Sequence, residues 1–308
     1  MLTSFFGKSK PINLLAVVIF MTVFYVVANS EVLFAEFDLG LLAMKLGVFI
    51  SFIVSVIVLD FIAKKNDLTK RSAFKILLFA VFSVSFIGIL QDNQIIVANL
   101  FVLLSLRRII SLKSQKDIQK KIFDATFWIC IASLFYFWSF LFLIVIYWGI
   151  LMHTTNYFKN WLIPPVAIFS VFLLVTGFNI IFYDSFFTYN NWFQESKFDF
   201  SKYQYPGFFI PLSIILAVAL WSISYYLKLL QRANINSRPT YILVLLTLIT
   251  AVGVALLSPV KNGSELLFFF VPLSIIASNY FEGKSEKMFK EILLLGLILM
   301  PILIPIIF

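Results

Sequence analysis

Leu14–Ala28 reads LLAVVIFMTVFYVVA, and Pro211–Trp221 reads PLSIILAVALW. Each run is apolar on nearly every face of a helix. A β-barrel strand alternates polar and apolar residues over about ten positions, which neither run does. A soluble surface helix keeps one polar face. Both runs therefore predict helices surrounded by lipid or by other apolar helices. Reading outward from them, segments near the roughly 17–25 apolar residues that a bilayer crossing needs fall at 12–29, 39–62, 73–90, 94–110, 122–136, 137–152, 161–183, 208–230, 240–257, 265–281 and 291–307. The fold class predicted is all-α: a polytopic transmembrane helix bundle of about eleven spans. It forms one integral membrane domain over residues 1–308, with its longest outer loop at 184–207.

Composition supports the same class. The chain is 61% hydrophobic and 13% charged, with a mean hydropathy of +0.99. A soluble chain of 308 residues needs far more polar surface. Phe is abundant, at 38 residues, and is at home in hydrocarbon, while Trp and Tyr favour the headgroup level. Lys8 and Lys10 before the first apolar run imitate a signal peptide. No small-residue cleavage pattern follows, so a retained first helix is the better reading.

Charge sets the orientation. With the N-terminus cytoplasmic, all of the 24 basic residues except Lys45, Lys197, Lys202 and Lys261 fall on the cytoplasmic side, while the 15 acids divide almost evenly. The positive-inside rule then puts the C-terminus in the periplasm. Segment 122–152 is either one long tilted helix or a hairpin turning near Phe135–Ser139. A single span would flip every later loop, so the charge rule favours the hairpin. The net charge of +9 belongs to the membrane surface, where anionic lipid attracts Lys and Arg, and not to nucleic acid. Its densest patch, RRIISLKSQKDIQKK (Arg107 to Lys121), makes Arg107 and Arg108 candidate binding residues.

Several chemistries are excluded. One cysteine, Cys130, allows no internal disulfide and no cysteine-based zinc or iron–sulfur site. One histidine, His153, cannot supply a multi-histidine metal centre. No metal and no cofactor is expected. Lys45 reads as snorkelling outward, Asp60 as the i+4 partner of Lys64, and Asp124 as the neighbour of Lys120 and Lys121. The candidates for chemistry converge on the outer loops. Glu31, Glu36, Asp38 and Glu265 are the candidate catalytic carboxylates, and Lys261 and Asp92 are candidate binding residues. SPVKNGSE (Ser258–Glu265) also has a structural reading, with Ser264 capping the helix that follows and Glu265 in its first turn.

Ser105 to Val171, with the opening FFGKSKPIN and the later KNGSELLFFFVPLSIIASNY, resembles an uncharacterised multi-pass inner-membrane family of Bacteroidota. Members of that family are sometimes mislabelled β-carotene monooxygenases. The single histidine of this chain argues against an iron-dependent oxygenase. The turn SLFYFW (Ser133–Trp138) between two short apolar helices is similar in pattern to GT-C-type glycosyltransferases that use polyprenyl-phosphate sugars. That resemblance implies an acidic base in the first outer loop, where Glu31, Glu36 or Asp38 stands, although this loop is much shorter than theirs.

Three functions follow as expectations. The first is a scaffold or accessory subunit of an inner-membrane envelope-biogenesis complex, with membrane lipid and a protein as partners. The second is a GT-C-like transferase using a polyprenyl-phosphate lipid. The third is a transporter, for which Gly177, Asn179 and Pro164–Pro165 are the only hints.

Overall fold

The computed structural model describes residues 2–33, 38–153, 158–283 and 286–307. Each of the eleven apolar segments is helical: α1 Pro11–Ala28, α2 Leu39–Lys65, α3 Phe74–Val84, α4 Asn93–Ile110, α5 Ile118–Phe135, α6 Leu143–His153, α7 Lys159–Tyr183, α8 Pro206–Arg232, α9 Arg238–Leu257, α10 Leu267–Phe281 and α11 Lys287–Ile307. No strand occurs among the described residues.

Eight of these helices, extended by short 3₁₀ turns where these adjoin, are long and apolar enough to cross a membrane. The other three depart from the expectation of eleven spans for separate reasons. α3 has 11 residues, about 16 Å at 1.5 Å per residue, and a break at Ser85–Phe86 separates it from a short turn of helix at Ile87–Gln91. α5 carries Lys120, Lys121 and Asp124 in its first two turns. α6 reaches 17 residues only with the 3₁₀ turn Phe137–Phe142 before it.

The segment 122–152 is two helices. Tyr136 between them is extended, with φ −143° and ψ 104°, and α5 and α6 pack against one another. Tyr136 lies inside the stretch Phe135–Ser139 where the turn was expected.

Contacts divide the helix ends between two poles. Asn29, Lys45, Gln91, Asn93, Tyr203 and Glu265 join one another's loops at a carboxylate-bearing pole. Lys65, Ser72, Arg107, Lys121 and Glu282 lie at a basic pole. The helices run alternately between the two. α1 and α11 both begin at the basic pole, where Glu291 accepts from the Leu2 and Thr3 backbone N–H groups at 2.5 and 3.0 Å.

α3 and α10 form the centre. Every residue of both helices is buried. α10 touches α3, α4, α8 and α9, and α3 touches α1, α2 and α11. Lipid tails are as apolar as these side chains, so close packing rather than exclusion of water holds the helices together. Aromatic rings supply much of it: Phe52 lies 6.1 Å from Phe79, Phe82 5.7 Å from Phe270, and Phe86 stacks on Phe270 at 5.7 Å. The hydroxyls of Ser83, Ser274 and Ser278 donate to carbonyls three or four residues back in their own helices, which hides them inside the core. At the edge lies α7, most of whose apolar residues are left uncovered by the rest of the bundle. It packs chiefly on α5.

One expectation for a charged residue changes here. Lys45 does not snorkel outward. It is 6% exposed and turns into the bundle. Asp124, next to Lys120 and Lys121 in sequence, pairs with Arg108 at 3.0 Å. The pair of Asp60 with Lys64 forms as expected, at 2.5 Å, and the buried Lys75 joins it at 3.0 Å.

Candidate functional site

The carboxylate-bearing pole is assembled from the ends of α1, α2, α4, α8, α9 and α10 and from the long segment between α7 and α8. Asp38 ends its loop by accepting from the Gly40 and Leu41 backbone N–H groups, at 2.8 and 3.4 Å. Asp92 does the same for Ile95 at 3.1 Å. Both are N-caps, which satisfy orphan donors at a helix start where the dipole favours negative charge.

Lys45 reaches from α2 to the ends of two other helices. Its Nζ donates to the side-chain oxygens of Asn29 (2.8 Å) and Asn93 (2.9 Å). Asn29 in turn donates to the Leu90 carbonyl at 3.0 Å. One ammonium thus fastens the ends of α1, α2 and α4 together.

Lys261 has an equally structural position. Its Nζ donates to the carbonyls of Ala255 (2.7 Å), Leu256 (2.7 Å) and Ser258 (3.0 Å), and lies 5.3 Å from the centre of the Phe200 ring. These are the carbonyls that the end of α9 leaves without helical partners. Burial pulls its pKa below that of an ordinary lysine, and the nearby Glu265 opposes the shift.

Glu265 is fully buried. The Tyr203 hydroxyl donates to its Oε1 at 2.5 Å, while Oε2 has no hydrogen-bond partner. Burial and the adjoining Glu265 both push the Tyr203 pKa upward, so the phenol keeps its proton and stays a donor. Tyr203 also packs on Phe208 at 4.4 Å. The backbone comes close here. A Cβ on Gly88 would stand 2.4 Å from the Asn262 carbonyl oxygen, and Gly263 has φ +91° with Phe208 against its open side. Ser264 does not cap α10 as expected: its Oγ donates to the Asn262 side chain at 2.6 Å, and the Asn262 oxygen also receives the Ser264 backbone N–H at 3.1 Å.

The sequence candidates therefore separate. Lys261 and Glu265 are brought together under Phe200 and Tyr203. Asp38 and Asp92 are helix caps. Glu31 stays exposed on a short helix, Ser30–Leu33, and Glu36 lies outside the described residues. Arg107 and Arg108 sit at the opposite pole. Among the described residues, no group of three or more His, Cys, Asp or Glu side chains is placed to hold a metal ion.

The chain belongs to DUF6427, a family of unknown function, matched over residues 8–306. No curated protein and no solved structure matches it. The family match covers both poles and every helix from α1 to α10.

Asn29, Asn93 and Tyr203 were not singled out in the sequence. Asn93 stands in the short polar turn QDNQ, and Asn29 is a lone amide at the end of an apolar run. Those positions were the available signal.

Proposed function

We propose that this family member is a multi-pass protein of the bacterial inner membrane, with a cytoplasmic N-terminus and a periplasmic C-terminus. In this reading it serves as a scaffold or accessory subunit of an envelope-biogenesis complex. The observation that carries it is Lys261: three backbone carbonyls occupy this outer-loop cation beside the buried Glu265. Asp38 and Asp92 are occupied in the same way, as helix caps. Groups held so tightly by backbone suit a rigid framework better than a reaction centre. The alternation of helices between a basic and a less basic pole supports the orientation by the positive-inside rule.

The test is native mass spectrometry of protein extracted gently from its own membrane. A stoichiometric second polypeptide is the expected result. It should survive simultaneous replacement of Glu31, Glu36, Asp38 and Glu265 by their amides. A monomer carrying only a polyprenyl-phosphate lipid would overturn the scaffold reading.

One observation favours a second reading, that of a polyprenyl-phosphate-dependent transferase. Glu265 Oε2 is buried without a partner, as a base awaiting a substrate hydroxyl would be. That reading requires Glu265→Gln alone to abolish function with the fold intact. Full function of Glu265→Gln would remove it.

A further inference from the structure

The basic pole holds a cleft of about 430 Å³ that neither reading uses. Its walls come from three helices. α2 contributes Phe61 and Lys65, α4 ends in Arg107 and Arg108, and Lys121 opens α5. The turn between α4 and α5 bends back through a 3₁₀ turn, Ser111–Ser114, and left-handed Gln115 and Asp117, with φ 55° and 50°. The Gln115 side chain donates to the His153 carbonyl at 3.1 Å, anchoring that turn to the end of α6. Lys121 is fixed inside it, donating to the Ser111 carbonyl (2.8 Å) and to Ser114 Oγ (2.6 Å).

The charge of this cleft is not balanced internally. Lys65 Nζ and the Arg107 guanidinium lie 5.2 and 4.7 Å from the centre of the same Phe61 ring. The ring face attracts both cations and brings two like charges together. Arg108 is paired with Asp124. No carboxylate among the described residues forms an ion pair with Lys65, Arg107 or Lys113. Asp67 is the one acid lining the cleft. The C-termini of α2 and α4 each add about half a negative charge and the N-terminus of α5 about half a positive one. Between two and three positive charges remain. A phosphate ester carries one to two negative charges and enough acceptor oxygens to meet several such donors at once. The volume lies within the range of small-ligand sites.

We propose that this cleft is a binding site for a phosphate group. Lys65, Arg107 and Lys113 supply its charge, Lys121 its fixed wall, and the Phe61 ring the platform that holds Arg107 and Lys65. Phosphate of this kind reaches a membrane surface on an anionic lipid headgroup or on a small soluble ester. The site is independent of whether the protein is a scaffold or an enzyme.

Purified protein is titrated, with native mass spectrometry as the readout, against dioctanoyl phosphatidic acid, dioctanoyl phosphatidylcholine, ATP and inorganic phosphate. Wild-type protein should take up one of the anionic phosphate probes and should not retain phosphatidylcholine, whose phosphate is neutralised by its own choline. Uptake of phosphatidic acid alone names the lipid as source; uptake of ATP or inorganic phosphate without phosphatidic acid names a soluble phosphate. The variant Lys65→Gln/Arg107→Gln/Lys113→Gln should bind at least tenfold more weakly, since each Lys or Arg near an anionic surface contributes about fivefold in affinity. All three side chains are exposed, so the change leaves the core intact. Lys8→Gln/Lys228→Gln/Lys287→Gln, which removes equal charge elsewhere, should bind like wild type. A further measurement needs no variant: wild-type affinity should fall steadily as salt is raised. The proposal is overturned if no phosphate probe binds, if phosphatidylcholine binds equally well, if both triple variants weaken binding alike, or if affinity ignores salt.

Discussion

Lys261 and Arg107 are both cations next to an aromatic ring, at opposite poles of one bundle, and their surroundings differ. Lys261 is buried, and its ammonium meets three carbonyls. Arg107 is exposed, shares the Phe61 ring with Lys65, and has no carboxylate partner among the described residues. The first arrangement closes a structure by satisfying groups that the helix end leaves open. The second keeps charge available for something outside the chain. The kind of residue does not distinguish these roles; the acceptors around it do.

The contrast can be broken most directly at Lys261. Lys261→Met should lower stability by about 3 kcal/mol, because charge-assisted bonds are lost and buried carbonyls are left without donors. Thermal melting in detergent reads the loss, and an unchanged midpoint would show that the carbonyls find other donors. Lys45→Met should cost about 2 kcal/mol by the same logic, since the side-chain oxygens of Asn29 and Asn93 lose their shared donor. Gly88→Ala sharpens the picture of a tightly closed pole. The added methyl meets a backbone carbonyl at 2.4 Å, and overpacking of this sort costs about 1–3 kcal/mol. A melting midpoint equal to wild type would mean that the loop at Asn262 yields easily. At the other pole, Arg107→Gln and Lys113→Gln should each change stability by less than about 0.5 kcal/mol. A large loss on either would place these residues in the framework and erase the contrast.

Much of this fold was legible. Lipid-facing and buried helices both need apolar residues, so all eleven segments stood out as runs. Asp38 and Asp92 stood out as candidates for chemistry, and their helix-capping role emerged only in the structure, although an acid before an apolar run is where orphan N–H groups need an acceptor. The break at Tyr136 was predicted by the charge of later loops more than by its own residues. What could not be read was which helices lie inside. Phe79 in α3 and Phe169 in α7 are the same residue in equally apolar runs, yet one is fully buried and the other 61% exposed. Hydrocarbon and protein interior select alike, so hydropathy does not separate them. The direction of Lys45 was hidden for a related reason. A lysine six residues inside a span can reach headgroups or a polar cluster, and only the meeting of Asn29 with Asn93, 64 residues apart in sequence, decides between them. The partnership of Tyr203 with Glu265 depends likewise on how a long loop folds back.

The central pairing of α3 with α10 also bears on how the protein is made. α3 is synthesised early, yet it is short, wholly enclosed in the finished bundle and carries Lys75. Its main partner begins at Leu267, nearly two hundred residues downstream. At ~5–20 residues per second of synthesis, the nascent chain waits on the order of 10–40 s with a half-built centre. During that interval a helix too short to cross the bilayer and carrying Lys75 must be sheltered by α1 and α2 or by the insertion machinery. Truncations that stop before α10 should therefore leave a product for membrane proteases to clear, and not a smaller version of the bundle.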